Sequence, residues 1–151
     1  MRIFGMFGLM GLGLALPVAA QSVEICPREA TAQAIVEPWE DWTRIFSNGQ
    51  TRLAVLDTIE PAAGALHLMI LSPPYDELGG RACNLVSLAP GIGFSGIAFG
   101  ALDARYDPAR GLIFAVPVEG YVPGEARYRP GTLGLVVNQA TGQVDAWITP
   151  V

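Results

Sequence analysis

From Trp42 onward the apolar positions fall into short runs broken by Gly, Pro, Asn and Asp. The runs are "WTRIFS", "TRLAVLD", "ALHLMILS", "RACNLVSL", "FSGIAFGALDARY", "LIFAVPV", "TLGLVV" and "QVDAWIT". Runs of this length, rich in branched and aromatic residues and punctuated by turn formers, predict an all-β domain of about eight mainly antiparallel strands, a sandwich or a small barrel. Upstream, "REATAQAIVEPWEDW" is the one stretch beyond residue 20 with a hint of helical period, and Pro38 limits it to a short helix.

Alternation is cleanest in the fifth run. Phe94, Ala98, Leu102 and Tyr106 share one face with Gly96 and Gly100 in register, while Ser95, Ile97, Phe99, Ala101, Asp103 and Arg105 share the other. This reads as one long strand, bent or bulged at its glycines. "LIFAVPV" is apolar on both faces and therefore belongs in the centre of a sheet or under cover, with Pro117 expected to take its far end out of the ladder.

The connections carry as much information as the strands. Ser47-Asn48-Gly49-Gln50 puts Asn-Gly between two runs, where both central residues of a type I′ turn need positive φ. "EPAAG" (Glu60 to Gly64), "DPARG" (Asp107 to Gly111) and "NQATG" (Asn138 to Gly142) share a pattern: a capping acid or amide first, glycine last. They read as one turn type used three times. A calcium loop is excluded, because each offers at most one carboxylate and calcium takes six to eight oxygens.

The densest stretch is "SPPYDELGGRAC", Ser72 to Cys83. Pro73-Pro74 is expected to end the preceding strand, Tyr75 to Leu78 to turn, Gly79-Gly80 to take the unusual φ values, and Arg81 to Cys83 to start the return strand. Only the side chains of Tyr75, Asp76 and Glu77 are then left without a structural task, which makes them candidate ligand-binding residues. In a simple meander this connector shares one end of the domain with Asn48-Gly49, "DPARG" and "NQATG". "EGYVPGEARYRPG" (Glu119 to Gly131) lies at the other end with "EPAAG" and "APGIG".

The N-terminus changes the compartment. Residues 1–20 carry one early charge, Arg2, then an apolar, glycine-rich run closing on Pro17, Val18 and Ala20, the layout of a cleavable secretory signal. The rival reading, a retained single-pass anchor, is weakened because the run is short of the roughly 20 apolar residues that span a bilayer. Residues 21–151 are then a single β domain with no membrane span in the mature chain, periplasmic or secreted. In that compartment Cys26 and Cys83, the chain's two cysteines, are expected to pair.

Charge narrows the partners. Without Arg2, eight arginines face fourteen acids, a formal charge of −6, and the chain contains no lysine. Nucleic acid and anionic membrane need a basic face, so neither is an expected partner. No lysine nucleophile or Schiff base is possible. Two distant cysteines and a single histidine do not make a metal site, and no cofactor is implied.

Candidate chemistry is sparse. "GIGFSG" (Gly91 to Gly96) has dinucleotide-loop spacing but lacks the following helix. Ser95 in "GFSG" lacks the strand-turn-helix of a nucleophile elbow. His67 sits mid-run, and a triad with Asp76 and Ser95 would need all three to converge. The acid pairs Glu40-Asp41 and Asp76-Glu77 are sequence neighbours that point apart, and Asp103 and Asp107 would stand about 13 Å apart on a strand. Trp39 and Trp42 flank acids in "EPWEDW", and aromatic area beside a carboxylate suits a sugar ring or a peptide. The expected function is therefore a non-catalytic binding or structural module of the cell envelope with a protein or glycan partner. The alternatives are an inhibitor of a secreted hydrolase or, less well supported, a small hydrolase.

Overall fold

The computed structural model describes residues 21–150, so the segment read as a signal lies outside the described residues. Ten strands form two antiparallel five-stranded sheets facing each other, without closing into a barrel. The all-β sandwich expected from the run pattern is the fold observed. Sheet B has the order β1(Ser22–Ile25), β5(Arg81–Ser87), β4(Leu66–Tyr75), β3(Thr51–Asp57), β2(Thr43–Phe46). Sheet A runs β10(Val144–Pro150), β9(Arg127–Val137), β8(Gly111–Val122), with β6(Gly96–Ile97) and β7(Asp103–Asp107) both on the free side of β8.

Alternation fills the space between the sheets. Leu53, Leu68, Val86, Phe114, Val116 and Leu135 are buried there, each contributed by a strand position whose sequence neighbours face the other way. Burying each such side chain is worth about 1.5–3 kcal/mol.

The outer face of sheet B is also apolar, through Ala54, Leu56, Met69 and Leu85. The segment following β1 covers it: Cys26, Ala30, Ala34 and Ile35 pack on this second cluster. Cys26 is disulfide-bonded to Cys83, and the Val36 N–H donates to Val55 O at 3.0 Å. The helical hint resolves into a 3-10 turn over Ala32–Ala34 and a single turn, α1(Trp39–Trp42), beyond Pro38 rather than before it.

Two cross-edge contacts lace the sandwich. On one side the Gln21 N–H donates to Ala146 O at 3.3 Å, joining the start of β1 to β10. On the other, the Arg44 guanidinium of β2 donates to Gly100 O at 3.1 Å and Leu102 O at 3.3 Å, and lies 5.6 Å from the Phe99 ring centroid.

Three sequence expectations are corrected. The fifth run is not one strand: a 3-10 turn at Phe99–Ala101 interrupts it between β6 and β7, so Ile97, Phe99 and Leu102 are all buried despite their parity. Pro117 does not end β8, which pairs onward to Val122. Backbone N and C=O of one strand residue point to the same side, and Pro117 O accepts from Ala98 N. The missing N–H thus faces the interrupted neighbour and costs no ladder bond. Pro73-Pro74 does not end β4 either; the strand continues to Tyr75, paired with Arg81, with its register shifted between Ser72 and Tyr75. A bulged, irregular stretch is where a ladder tolerates proline.

Turn chemistry follows the capping residues. In all three related turns the first side chain accepts the N–H two residues on: Ala62 to Glu60, Ala109 to Asp107, Ala140 to Asn138. Gly111 and Gly142 have φ of 102° and 77°, whereas Gly64 is not among the positive-φ residues and is required for another reason. A side chain on Gly64 would collide with the backbone of Gly93. β2 to β5 and β7 to β10 are each meanders, with β1 added beside β5, so the ends of these runs sort as strand parity demands. Gly142 packs on Pro74 and the Gln139 amide donates to Thr51 Oγ1 at 3.0 Å at one end. At the other, Gly93 N–H donates to Gly64 O at 2.7 Å.

Candidate functional site

The candidate residues from the sequence do not assemble into one site. Tyr75 closes β4 with its side chain 48% exposed. Asp76 is turned onto its own loop, where Oδ1 accepts from Leu78 N at 2.9 Å and Gly80 N at 2.7 Å, so its carboxylate holds the turn. Glu77 is exposed and Leu78, 97% exposed, forms the tip. Trp39 and Trp42 lie away from this loop, on α1 at the β2 edge of the sandwich. Trp42 is half-buried and stacks on Phe99 at 6.4 Å, whereas Trp39 remains 46% exposed. Glu40 and Asp41 border a shallow depression there with Arg44, whose guanidinium is already engaged by two carbonyls.

His67 meets neither Asp76 nor Ser95. It is 5% exposed on the outer face of sheet B, with Nδ1 2.8 Å from Ser87 Oγ and Nε2 3.3 Å from Thr58 Oγ1. The Thr58 hydroxyl proton is directed at the carbonyls of Glu60 and Ala65, so the Thr58 oxygen can accept from the ring. The arrangement suits a neutral imidazole protonated on Nε2, with Nδ1 accepting from Ser87. Burial pushes its pKa below the ordinary histidine value, and the carboxylates of Glu24 and Asp57 pull part of the way back. Gly93 presses against the ring, leaving no room for a side chain at that position. Ser95, in turn, hydrogen-bonds to Ala63 O. This is a satisfied, enclosed histidine with no room for a reacting group.

The outer face of sheet A is different, because no segment among the described residues crosses it. Asp103, Ala115, Gly134 and Trp147 are direct partners across four strands, forming one row over that face. The floor is made of the small residues Ala115 and Gly134. The Trp147 indole lies over Gly134: a Cβ there would stand 2.5 Å from Cζ2 and 2.7 Å from Nε1. Arg105, Ile113, Thr132 and Thr149 complete a depression of about 240 Å³. Adjacent to it along the strands, Pro117, Glu119 and Pro130 border a second depression of about 400 Å³ against Gly96. The β8–β9 pairing is continuous, so Tyr121 and Tyr128 fall on the same ribbon face further along, with ring centroids 5.3 Å apart.

Together these residues make a bed with an indole at one side, an aspartate-arginine pair at the other and a tyrosine pair beyond one end. Three strand spacings separate β7 from β10, about 14 Å, and six residues separate Gly134 from Tyr128, about 20 Å. Trp147 was not among the candidate residues, although Asp145, Trp147 and Thr149 alternate against Val144, Ala146 and Ile148 and so mark it as facing away from the core. Its pairing with Gly134 depends on register between separate strands, which local sequence does not carry.

Among the described residues no three His, Cys, Asp or Glu side chains come together as a metal site, and no helix is long and apolar enough to cross a membrane. Comparison with known protein families, curated proteins and solved structures finds no match.

Proposed function

We propose that this chain is an exported, non-catalytic binding module of the cell envelope that holds its ligand on the outer face of sheet A. The observation that carries the reading is the asymmetry of the sandwich. One outer face is covered by a disulfide-fastened segment, and the other, uncovered among the described residues, is lined with Trp147, Asp103, Arg105 and two threonines. The Cys26–Cys83 bond is in keeping with an oxidising compartment. Binding rather than turnover is favoured because the one histidine is held in a neutral hydrogen-bond pair and the register sets Asp103, Asp107, Glu119 and Asp145 about 13 Å or more from one another, beyond the roughly 5–9 Å of a catalytic carboxylate pair.

The test is affinity capture from envelope extract on the folded protein and on its Trp147→Ala variant. Retention of a polymer or protein by the wild type and its loss in the variant is expected. Equal retention by both would move the site elsewhere.

A second reading, an inhibitor of a secreted hydrolase, rests on Leu78, exposed at the tip of a hairpin whose return strand is fastened at Cys83. It predicts that Leu78→Asp abolishes inhibition of a susceptible hydrolase while Trp147→Ala does not.

A further inference from the structure

We infer that the bed on sheet A accommodates a neutral saccharide chain running along β8 and β9. This inference rests on the reading of that face as the ligand surface and adds the class of ligand.

Three properties of the bed point the same way. First, the indole of Trp147 is laid over Gly134 instead of into the core, so it offers a platform beside a floor with almost no side chain. An aromatic ring on a flat floor accepts the apolar C–H face of a pyranose.

Second, Asp103 and Arg105 are two apart on β7 and therefore share its outward face at the opposite margin. Within the depression these opposite charges cancel, and Asp107, next on the same face, lies outside it with its carboxylate accepting from Ala109 N. A strongly charged ligand of either sign would meet one repelling neighbour, whereas vicinal hydroxyls can donate to the carboxylate and accept from the guanidinium at once. Such charge-assisted bonds are the strong ones. Thr132 and Thr149 add hydroxyls that both donate and accept.

Third, the other acids near the bed, Glu119 and Asp145, and the formal charge of −6 beyond residue 20, disfavour polyanionic glycans. The bed is also elongated: the second depression and the Tyr121–Tyr128 pair continue it along the same ribbon face.

The experiment is titration of the purified protein with cellohexaose, N-acetylchitohexaose, an oligogalacturonate and an oligoarginine peptide, followed by calorimetry and by NMR shifts. At least one neutral hexasaccharide should bind. Trp147→Ala and Arg105→Ala should each weaken it at least tenfold, while Trp39→Ala and Tyr75→Ala leave it unchanged. Trp147→Tyr, which keeps a ring on the floor, should retain most of the binding and guards against a folding defect in the alanine variant. If the neutral sugars do not bind but the peptide, or a protein from envelope extract, is held through Trp147, the saccharide inference is overturned and the open face remains a ligand surface. If nothing binds in either experiment, both are overturned.

Discussion

His67 shows how a residue that looks chemical in sequence becomes structural once its neighbours are known. Burial desolvates the ring and disfavours its charged form; the neutral form donates to Thr58 and accepts from Ser87, and charging it would force the Ser87 hydroxyl to turn from donor to acceptor. The folded-state pKa is therefore below the unfolded one. Between the two values the unfolded chain binds more protons, so stability is full above the ordinary histidine range and falls as pH drops through it. The melting temperature should decline from about pH 7.5 to about pH 5.5, a window above the carboxylate range. His67→Gln should flatten that decline while lowering the melting temperature at the upper pH. A wild-type profile that is flat across this window would contradict the assignment. None of His67's partners was legible in the sequence: Thr58 and Ser87 are nine and twenty positions away, and only the pairing of β3, β4 and β5 brings them together.

At the scale of elements, what the sequence encodes locally was read and what depends on a neighbour was not. The Asn48-Gly49 turn forms with φ of 54° and 87°, and the capping side chains of the three related turns engage as their spacing implies. Pro74 and Pro117 stay within their strands because the cost of a proline in a strand depends on which side its absent N–H faces, which local sequence does not carry. Pro117 faces a gap created by the 3-10 turn at Phe99–Ala101, an element with no period to betray it.

The covering segment between Cys26 and Val36 has Ile35 and Val36 as its only large aliphatic side chains, so it adds little packing beyond its small residues on the second cluster. The disulfide closes a loop of sequence separation 57, worth about 4 kcal/mol by the loop-entropy argument. Replacing both cysteines by serine should lower stability by up to about that amount. It should also make Arg28, exposed within the segment, a site of rapid trypsin cleavage. If the variant resists trypsin as well as the wild type, the segment is held by packing alone.

For the whole molecule, two sheets that do not close depend on how their edges are joined. The Arg44 guanidinium reaches from β2 to the carbonyls of Gly100 and Leu102, at the 3-10 turn that links β6 and β7 of the other sheet. Arg44→Met keeps the length of the stem and removes these charge-assisted bonds. It should cost about 1–2 kcal/mol in chemical denaturation, partial exposure lowering the value. An unchanged midpoint would show that the facing cores suffice to hold the sheets together. The architecture was legible because run lengths and turn residues are local signals. The open face was not, because which outer face stays uncovered depends on where the N-terminal segment is fastened.

The hydrogen bond from Gln21 to Ala146 has a practical consequence for anyone handling the protein. With no lysine in the sequence, no side chain supplies a primary amine, so amine coupling falls to an α-amino group. In a chain that begins at Gln21, that amine sits beside β10, the strand that carries Trp147. Amine-reactive dyes and sensor-chip coupling would then attach at a single point next to the bed and shield it from ligand. Immobilisation through a C-terminal tag should be compared with amine coupling before a failure to bind is believed.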